Sequence, residues 1–255
     1  MTGSDLGDLA RSLSDAWTNA KTVPAPTSSA PSLTTADAYA VQELIIAERL
    51  AQGHRRAGWK LGLTSAEPPS TPIVGTLLDD MVIATGTELA LGTMVAPMVE
   101  AEIVVHIGET IDRPVSTEEL ARGPHRVGPG IEVIDYRTRD STGPIDWIAD
   151  NSTVAYAVVA DPVDVRETDP VAISASLYGD GQFLAEGSGR KVMGDPLAAV
   201  SWLSGHLAGR GQTLEVGHVI LTGSITGHHT VGVGEASQYT ADFGDLGTVS
   251  VGFRP

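Results

Sequence analysis

Apolar residues recur at two different spacings along this chain and divide it into a helical beginning and a β-rich remainder. Over residues 4–20, leucines and a tryptophan return every three or four positions, which predicts an amphipathic helix. A second helix is predicted to begin at Thr34 or Thr35, because a threonine N-cap there is followed by Asp37 in the first turn. This helix is predicted to end at Gly53.

Beyond residue 57 the apolar runs are short or alternate with polar residues, and glycine, proline and aspartate separate them. Such runs are typical of β-strands. The predicted strands cover residues 57–63, 81–84, 99–107, 130–136, 153–160, 171–177, 182–187, 218–222, 230–233 and 247–253. A helix that an Asp-Pro pair opens is predicted over residues 195–209, and a shorter one over residues 115–123. The predicted fold class is α+β, with an N-terminal helical region over residues 1–56 and a β-rich catalytic domain over residues 57–255.

The charge and composition of the chain narrow the classes of function. There are 32 acidic residues against 16 basic ones, a formal net charge of −16 that opposes binding to a phosphate backbone, so no nucleic-acid partner is expected. The chain has no cysteine and is 42% hydrophobic, which excludes a disulfide framework and general disorder. No apolar run reaches the roughly 18 residues that a membrane span needs. Residues 1–21 lack a basic stretch followed by an apolar one, so we expect a cytoplasmic protein with no membrane partner.

Three glutamates lie inside predicted strands rather than in loops. Glu100 and Glu102 share one face of a strand by alternation, and Glu132 occupies a similar apolar run, whereas Asp135 points to the other face of that run. Two such carboxylates about 5 Å apart repel by about 3 kcal/mol at an effective dielectric near 20. A divalent cation would remove that repulsion, and an all-oxygen ligand set suits Mg²⁺ or Mn²⁺. The alternative is an exposed strand face that carries ordinary solvated glutamates.

One of the three lysines of the chain lies in an apolar strand. Lys60 is flanked on its own strand face by Gly58 and Gly62, which would leave open space for a ligand. A lysine in this position could hold a substrate carboxylate or move a proton. The alternative is a lysine that protects an edge strand from aggregation.

These residues belong to a series of ordered motifs that extends from about Ala36 to Phe253. The motifs are Gly-Trp-Lys-Leu-Gly-Leu-Thr-Ser, Thr-Pro-Ile-Val-Gly, Val-Glu-Ala-Glu-Ile, Ile-Glu-Val-Ile-Asp-Tyr-Arg, Ile-Ala-Asp-Asn-Ser and Leu-Thr-Gly-Ser-Ile-Thr-Gly. Together they resemble the 2-keto-4-pentenoate hydratase and 4-oxalocrotonate decarboxylase family, within the fumarylacetoacetate hydrolase superfamily. The resemblance implies a β-rich body of the fumarylacetoacetate hydrolase type with a smaller N-terminal part.

The resemblance also implies a set of site residues and a cofactor. One Mg²⁺ or Mn²⁺ ion would be held by Glu100, Glu102 and Glu132. The implied catalytic residues are Lys60, Asp150 and Asn151. The resemblance places Thr222 and Gly223 near the substrate, and Leu61, Ile73 and His228 are further residues expected to bind substrate.

Three features depart from the family pattern. Hydratases of the group carry an aspartate where this chain has Ile73, in a Pro-Ile-Val-Gly run similar to the decarboxylase version. The loop from Ala66 to Ser70 is shorter than the family pattern and lacks a Met-Gly-Val stretch. His228 and His229 stand where relatives have small apolar residues, and they are interpreted either as surface residues or as residues that alter substrate choice.

The predicted function is that of a metal-dependent carbon–carbon lyase acting on an unsaturated 2-oxo acid. Loss of the distal carboxylate of 2-oxohex-3-enedioate as CO₂ leaves charge at C5 that is conjugated to the C2 oxygen, where a metal stabilises the dienolate. Hydration of 2-hydroxypenta-2,4-dienoate demands more proton transfer, so an isoleucine at position 73 favours decarboxylation. The alternatives are the hydratase, a repurposed biosynthetic or acylpyruvate-hydrolase member, and a non-catalytic assembly partner. We expect a homo-oligomer, with a related hydratase as a candidate partner.

Overall fold

The computed structural model describes residues 3–65, 71–141, 143–232 and 237–255. The short loop from Ala66 to Ser70 lies outside the described residues, as does the end of the predicted strand 230–233. The α-helices of the described chain are α1 Gly3–Asn19, α2 Pro26–Ser29, α3 Thr35–Ala51, α4 Thr117–Arg122, α5 Pro144–Ala149 and α6 Pro196–Ala208. None of the helices in these ranges combines the length and apolar character that crossing a membrane would require.

The strands form three sheets, and all of the strands except β1 lie after α3 in the chain. The strands are β1 Val23–Pro24, β2 Arg56–Gly62, β3 Ile73–Leu78, β4 Val82–Ala84, β5 Thr87–Ala90, β6 Pro97–His106, β7 Arg126–Asp135, β8 Thr138–Arg139, β9 Val154–Val159, β10 Val163–Asp164, β11 Ser174–Gly179, β12 Gln182–Ser188, β13 Val219–Ser224, β14 His229–Thr230, β15 Ser237–Asp242 and β16 Thr248–Arg254. The predicted α+β class is confirmed.

The helix starts follow the capping chemistry of the sequence. Thr34 Oγ1 accepts a hydrogen bond from the backbone N–H of Asp37 at 3.1 Å, and a carboxylate oxygen of Asp37 accepts the backbone N–H of Thr34 at 3.1 Å. This reciprocal pair satisfies two backbone donors that a helix N-terminus would otherwise leave unpaired. Asp195 caps α6 in a similar way, through the N–H of Leu197 at 2.8 Å.

The largest sheet orders its main strands as β3-β2-β13-β6-β7-β9-β4. Strands β2, β13, β6 and β7 are therefore consecutive neighbours, although long stretches of chain separate them in sequence. In this register Glu100 lies opposite Glu132, and Glu102 lies opposite Ser224. Lys60 lies opposite Leu221. The sheet thus brings the four strands that carry the predicted site residues side by side.

The second large sheet has the order β12-β11-β15-β16-β5, and its apolar side belongs to the same core as the first. Strands β3, β5 and β15 were not predicted. In β15 the burial alternates, with Tyr239 and Ala241 buried between polar residues. Its pairing with β11 and β16 on either side supplies the stabilisation that its polar sequence does not indicate.

The N-terminal helices pack against the β-rich body. Gln42 of α3 is buried, and its Nε2 donates hydrogen bonds of 2.9 Å to the carbonyl oxygens of Val74 and Ile148. The Trp17 ring of α1 lies 4.7 Å from the guanidinium carbon of Arg137. The division of the chain between residues 56 and 57 stays a prediction.

Candidate active site

A cavity of about 880 Å³ opens on the face of the large sheet where β2, β6 and β13 meet. Its lining combines polar groups on the strands with apolar side chains. The lining residues are Lys60, Leu61, Gly62, Leu63, Thr64, Ser65, Ile73, Glu100, Ile134, Tyr136, Trp147, Ser152, Thr153, Ser188, Arg190, Lys191, Gly194, Ser224 and His228.

The three predicted glutamates cluster beside this cavity, which Glu100 borders and the buried Glu102 and Glu132 do not. One carboxylate oxygen of each of Glu100, Glu102 and Glu132 lies within 4.8 Å of the other two. Glu102 and Glu132 are fully buried, and the side chain of Glu100 is only 12% exposed. The alternative of an exposed face with solvated glutamates is therefore wrong.

The buried carboxylates lack the partners that would balance their charge. Glu102 Oε2 accepts the backbone N–H of Gly223 at 2.7 Å, whereas Glu102 Oε1 and both carboxylate oxygens of Glu132 have no hydrogen-bond donor among the described residues. Burial, followed by the charges of Glu132 and Glu100, raises the pKa of Glu102 well above its ordinary value. Burial and the charge of Glu132 raise the pKa of Glu100 to about 7. Unpaired oxygens of this kind, without nitrogen or sulfur ligands, fit a hard divalent cation such as Mg²⁺.

Lys60 reaches the glutamates from the neighbouring strand. Its Nζ lies 3.2 Å from Glu132 Oε1 and donates a 2.9 Å hydrogen bond to the carbonyl oxygen of Ser152. Burial opposes the charged form of Lys60, but the carboxylates of Glu132 and its neighbours outweigh burial and raise the pKa of the lysine. The lysine is 5% exposed on a strand between β3 and β13, so an edge-protecting role is wrong.

The two glycines beside Lys60 have different roles. Gly62 borders the cavity, but a Cβ there would lie 3.1 Å from Ile73 Cγ1 and 3.4 Å from Lys60 Nζ, so the position is closely surrounded rather than open. A Cβ at Gly58 would lie 1.8 Å from the carbonyl oxygen of Val219, so this glycine permits close packing of β2 on β13. The prediction of open ligand space at Gly58 is therefore wrong.

The carbonyl that holds Lys60 belongs to an unusual turn. Asn151, Ser152 and Thr153 have φ values of 50°, 51° and 61°, three consecutive left-handed residues without a glycine. Left-handed backbone costs roughly 1–2 kcal/mol per residue, because Cβ approaches the following carbonyl oxygen. The strain is concentrated where the chain directs the Ser152 carbonyl at the lysine.

Asp150 and Asn151 lie behind the cavity wall, and neither is among the described residues that line the cavity. Asp150 Oδ1 accepts a 2.8 Å hydrogen bond from Arg137 Nε, and burial raises the pKa of Asp150 to about 6 against the opposing guanidinium. The Asn151 side chain bonds both the N–H and the carbonyl of Thr76, at 2.8 and 2.9 Å. These contacts suit residues that position Ser152, and the catalytic role of the pair stays a prediction.

Thr222 and Gly223 also act from beneath the cavity surface. Thr222 is fully buried and donates to the carbonyl oxygen of Ile103 at 2.7 Å. Gly223 has a φ of 121°, and a Cβ there would lie 1.7 Å from Thr64 Oγ1, so only glycine fits where its N–H orients Glu102. The next residue, Ser224, borders the cavity itself.

The remaining predicted substrate-binding residues, Leu61, Ile73 and His228, all border the cavity. His228 is 59% exposed, and its Nδ1 lies 3.8 Å from Glu100 Oε1. His229 is in β14 and pairs with Val99 of β6. His228 is thus the histidine of the pair that borders the cavity.

Sequence reasoning missed several lining residues. Tyr136 directly follows β7, the strand that carries Glu132, and belongs to the Ile-Glu-Val-Ile-Asp-Tyr-Arg motif. Its position in that motif could have predicted that it borders the cavity. Trp147 is on the short helix α5, which was not predicted. Arg190 and Lys191 follow β12 in a Gly-Ser-Gly-Arg-Lys run that resembles an ordinary polar turn.

Comparisons with known proteins agree with this geometry. Residues 47–253 match the fumarylacetoacetate (FAA) hydrolase C-terminal family. The 2-keto-4-pentenoate hydratase of Paraburkholderia phymatum is 33% identical, over 85% of this chain and 85% of that protein. A 4-oxalocrotonate decarboxylase of a Pseudomonas species is 31% identical, over 87% of this chain and 88% of that protein.

A solved structure matches nearly the whole chain. The 4-oxalocrotonate decarboxylase from Pseudomonas putida G7, complexed with magnesium and adipate, has a TM-score of 0.93 and 29% identity, covering 100% of this chain and 99% of that one. The chain belongs to the fumarylacetoacetate hydrolase family. The predicted resemblance and fold type are confirmed, and the relatives named above are decarboxylases and hydratases, as predicted.

Proposed function

We propose that this protein is a divalent-metal-dependent lyase that decarboxylates an unsaturated 2-oxo dicarboxylic acid of the 4-oxalocrotonate type. The observation that carries the proposal is a cluster of three carboxylates and a buried lysine, of which Glu100 and Lys60 border the cavity. The relative that is complexed with magnesium and adipate supports both the ion and a dicarboxylate ligand.

Glu100, Glu102 and Glu132 would hold the cation, which we assign as Mg²⁺ or Mn²⁺ from their oxygen ligands. When bound, such an ion acts as a Lewis acid toward the 2-oxo acid and stabilises the negative charge that develops on the keto oxygen. Gly223 holds one oxygen of Glu102 by its N–H and leaves the other for the ion. His228 lies beside Glu100, where it would contact a ligand that enters from solvent.

Lys60 retains a donor for the substrate. An ammonium group has three N–H donors; one donates to the Ser152 carbonyl, and the ion pair with Glu132 engages at most a second. Because its pKa is raised, the lysine stays protonated at neutral pH. The third N–H can hold a substrate oxygen or deliver a proton when the product ketonises.

Ile73 favours decarboxylation over hydration. Its side chain is 6% exposed and borders the cavity, so it offers an apolar surface. As the C5–C6 bond breaks, the leaving carboxylate becomes neutral CO₂, which an apolar neighbour prefers to the anion. Addition of water would require a proton-transfer group there, and isoleucine has none.

The proposal is tested by measuring two reactions on the same enzyme. With Mg²⁺, we expect CO₂ release from 4-oxalocrotonate to exceed hydration of 2-hydroxypenta-2,4-dienoate. The reverse preference would make the protein a hydratase, which the 33% identity to a hydratase favours as the second candidate. Absence of both turnover and metal binding would leave a non-catalytic assembly partner. A homo-oligomer, a hydratase partner and a cytoplasmic location stay predictions.

Ile73→Asp tests the chemical argument for decarboxylation. The carboxylate would give the cavity a proton-transfer group, so we expect dienoate hydration to rise by about 10-fold or more and decarboxylation to fall. Ile73→Asn is the matched control, since it adds similar polarity without a titratable group. If the aspartate variant and the unaltered protein have equal rates in both reactions, the proposed role of Ile73 in favouring decarboxylation is refuted.

The stabilisation that Mg²⁺ confers should depend on pH. The folded-state pKa of Glu100 is raised from 4.5 to about 7, so the metal-free protein retains a proton there that an ion must displace as pH falls through 7. We therefore expect the rise in Tm produced by Mg²⁺, relative to EDTA, to be larger at pH 8 than at pH 6. Burial lowers the pKa of His106 to about 4, and its effect on Tm is the same with and without Mg²⁺, so the difference isolates the metal site. An equal rise in Tm at the two pH values would contradict the assignment of Glu100.

A further inference from the structure

Two basic side chains border the outer part of the cavity. Arg190 and Lys191 belong to the single turn Gly189–Lys191 that follows β12. Lys191 Nζ donates to the carbonyl oxygen of Glu186 at 3.1 Å. The Arg190 side chain is exposed and has no ion pair or hydrogen bond within the described part of the chain. Its guanidinium is therefore available to a ligand.

Close backbone packing fixes this turn next to the predicted catalytic strands. A Cβ at Gly187 would lie 1.7 Å from the carbonyl oxygen of Ile225, so β12 packs directly on the chain just after β13. On its other side, Met193 donates its backbone N–H to the carbonyl oxygen of Thr64 at 2.8 Å, just after β2. The basic pair is thus held by the two segments that continue from Lys60 and Ser224.

The charges of the inner site balance one another, so a second carboxylate on the substrate would need other cationic groups. The three glutamates contribute −3, the proposed divalent ion +2 and Lys60 +1, so the inner site is neutral when loaded. The carboxylate and keto groups of a 2-oxo acid would occupy that inner site. A second carboxylate at the far end of the ligand would find its positive partners at Arg190 and Lys191. The net charge of −16 makes this positive group local rather than part of a basic surface.

We propose that Arg190, assisted by Lys191, forms a subsite for the distal carboxylate of a linear 2-oxo dicarboxylic acid and discriminates against monocarboxylic acids. A guanidinium suits this task because it binds a carboxylate through two parallel hydrogen bonds. The inference rests on the proposed function and adds to it the residues that select the second charge of the substrate.

The subsite has a consequence for the kinetics. The two neighbours proposed for the leaving carboxylate act in opposite directions: Ile73 favours loss of its charge, whereas Arg190 holds the charged carboxylate more tightly before the reaction than in the transition state. Arg190→Gln should therefore raise KM for the dicarboxylate by about 10-fold without a matching fall in kcat. A residue that merely supports the fold would lower kcat as well.

The direct test compares two unreactive ligands that share the 2-oxo acid head and differ in the second carboxylate. Binding of 2-oxoadipate and of 2-oxohexanoate is measured by calorimetry with Mg²⁺. The unaltered protein should bind 2-oxoadipate about 10-fold more tightly. Arg190→Gln should remove most of this preference and leave 2-oxohexanoate binding unchanged, while Arg190→Lys should retain part of it. Lys21→Gln is the control, because it removes the same charge from an exposed residue away from the cavity.

The two ligands distinguish failure of the subsite from failure of the proposed function. Equal binding of both ligands by the unaltered protein would overturn the subsite and leave the proposed 2-oxo acid chemistry standing. A preference that survives in Arg190→Gln and in the double variant with Lys191→Gln would also overturn the subsite. Binding of neither ligand with Mg²⁺ would overturn the proposed function and the subsite together.

Discussion

Glu102→Gln should abolish metal-dependent turnover and leave a folded protein. The glutamine keeps an oxygen that can accept the N–H of Gly223, but it replaces a charged ligand oxygen with a neutral amide. Because metal catalysis contributes several kcal/mol of charge stabilisation, we expect kcat/KM to fall by about 10³-fold or more. The metal-free variant should be at least as stable as the unaltered protein, since it removes one of three crowded buried carboxylates.

Calorimetric titration with Mg²⁺ and thermal unfolding in EDTA check the two halves of this expectation. Glu88→Gln is the matched control, because Glu88 is exposed on β5 and lies outside the glutamate cluster. Full activity in Glu102→Gln would refute the assignment of Glu102 as a ligand. A variant that no longer folds in EDTA would show that the carboxylate has a structural role.

Lys60→Met should reduce turnover far more than it affects metal binding. Methionine keeps much of the buried stem but removes the donor that faces the substrate, and general acid–base groups contribute about 10²- to 10⁴-fold to rate. Loss of a positive charge 3.2 Å from Glu132 makes the glutamates more, not less, attractive to a cation. We therefore expect kcat to fall by about 10²-fold or more, with Mg²⁺ affinity unchanged or higher.

The same variant separates catalysis from stability. Without metal, Lys60→Met leaves Glu132 buried and without its ion-pair partner, and breaking such a pair costs about 3–5 kcal/mol. Its Tm in EDTA should fall, and Mg²⁺ should restore most of the loss. Lys21→Met, at an exposed lysine, is the control. A loss of metal affinity as large as the loss of turnover would make Lys60 a structural residue.

The sequence predicted those elements whose pattern is local. The helices with threonine or aspartate caps and the alternating strands of Glu100 and Glu132 were found because spacing and capping act within a few residues. The register that places Glu100 opposite Glu132 was not predictable from either strand alone, because it depends on pairing across a connection that contains α4.

The hydrogen bonds that position the site could not be predicted either, because they join residues far apart in sequence. Asn151 is tied to Thr76, 75 residues away in sequence, and Gln42 bonds a carbonyl 106 residues away. No local pattern indicates either contact. At Gly58 the sequence predicted a feature that the structure does not have. A glycine beside a predicted active-site lysine suggested open space, whereas the neighbouring strand fills that position.

The left-handed turn that holds Lys60 affects how the protein would respond to selection for heat resistance. Ser152→Gly or Thr153→Gly would relieve the strain of a left-handed backbone, because glycine has no Cβ. A selection for thermal stability alone would therefore favour these substitutions. They would also widen the range of conformations open to the Ser152 carbonyl, which is 2.9 Å from the lysine ammonium. Glycine substitutions in this turn would therefore raise the thermal stability of the enzyme and lower its turnover rate.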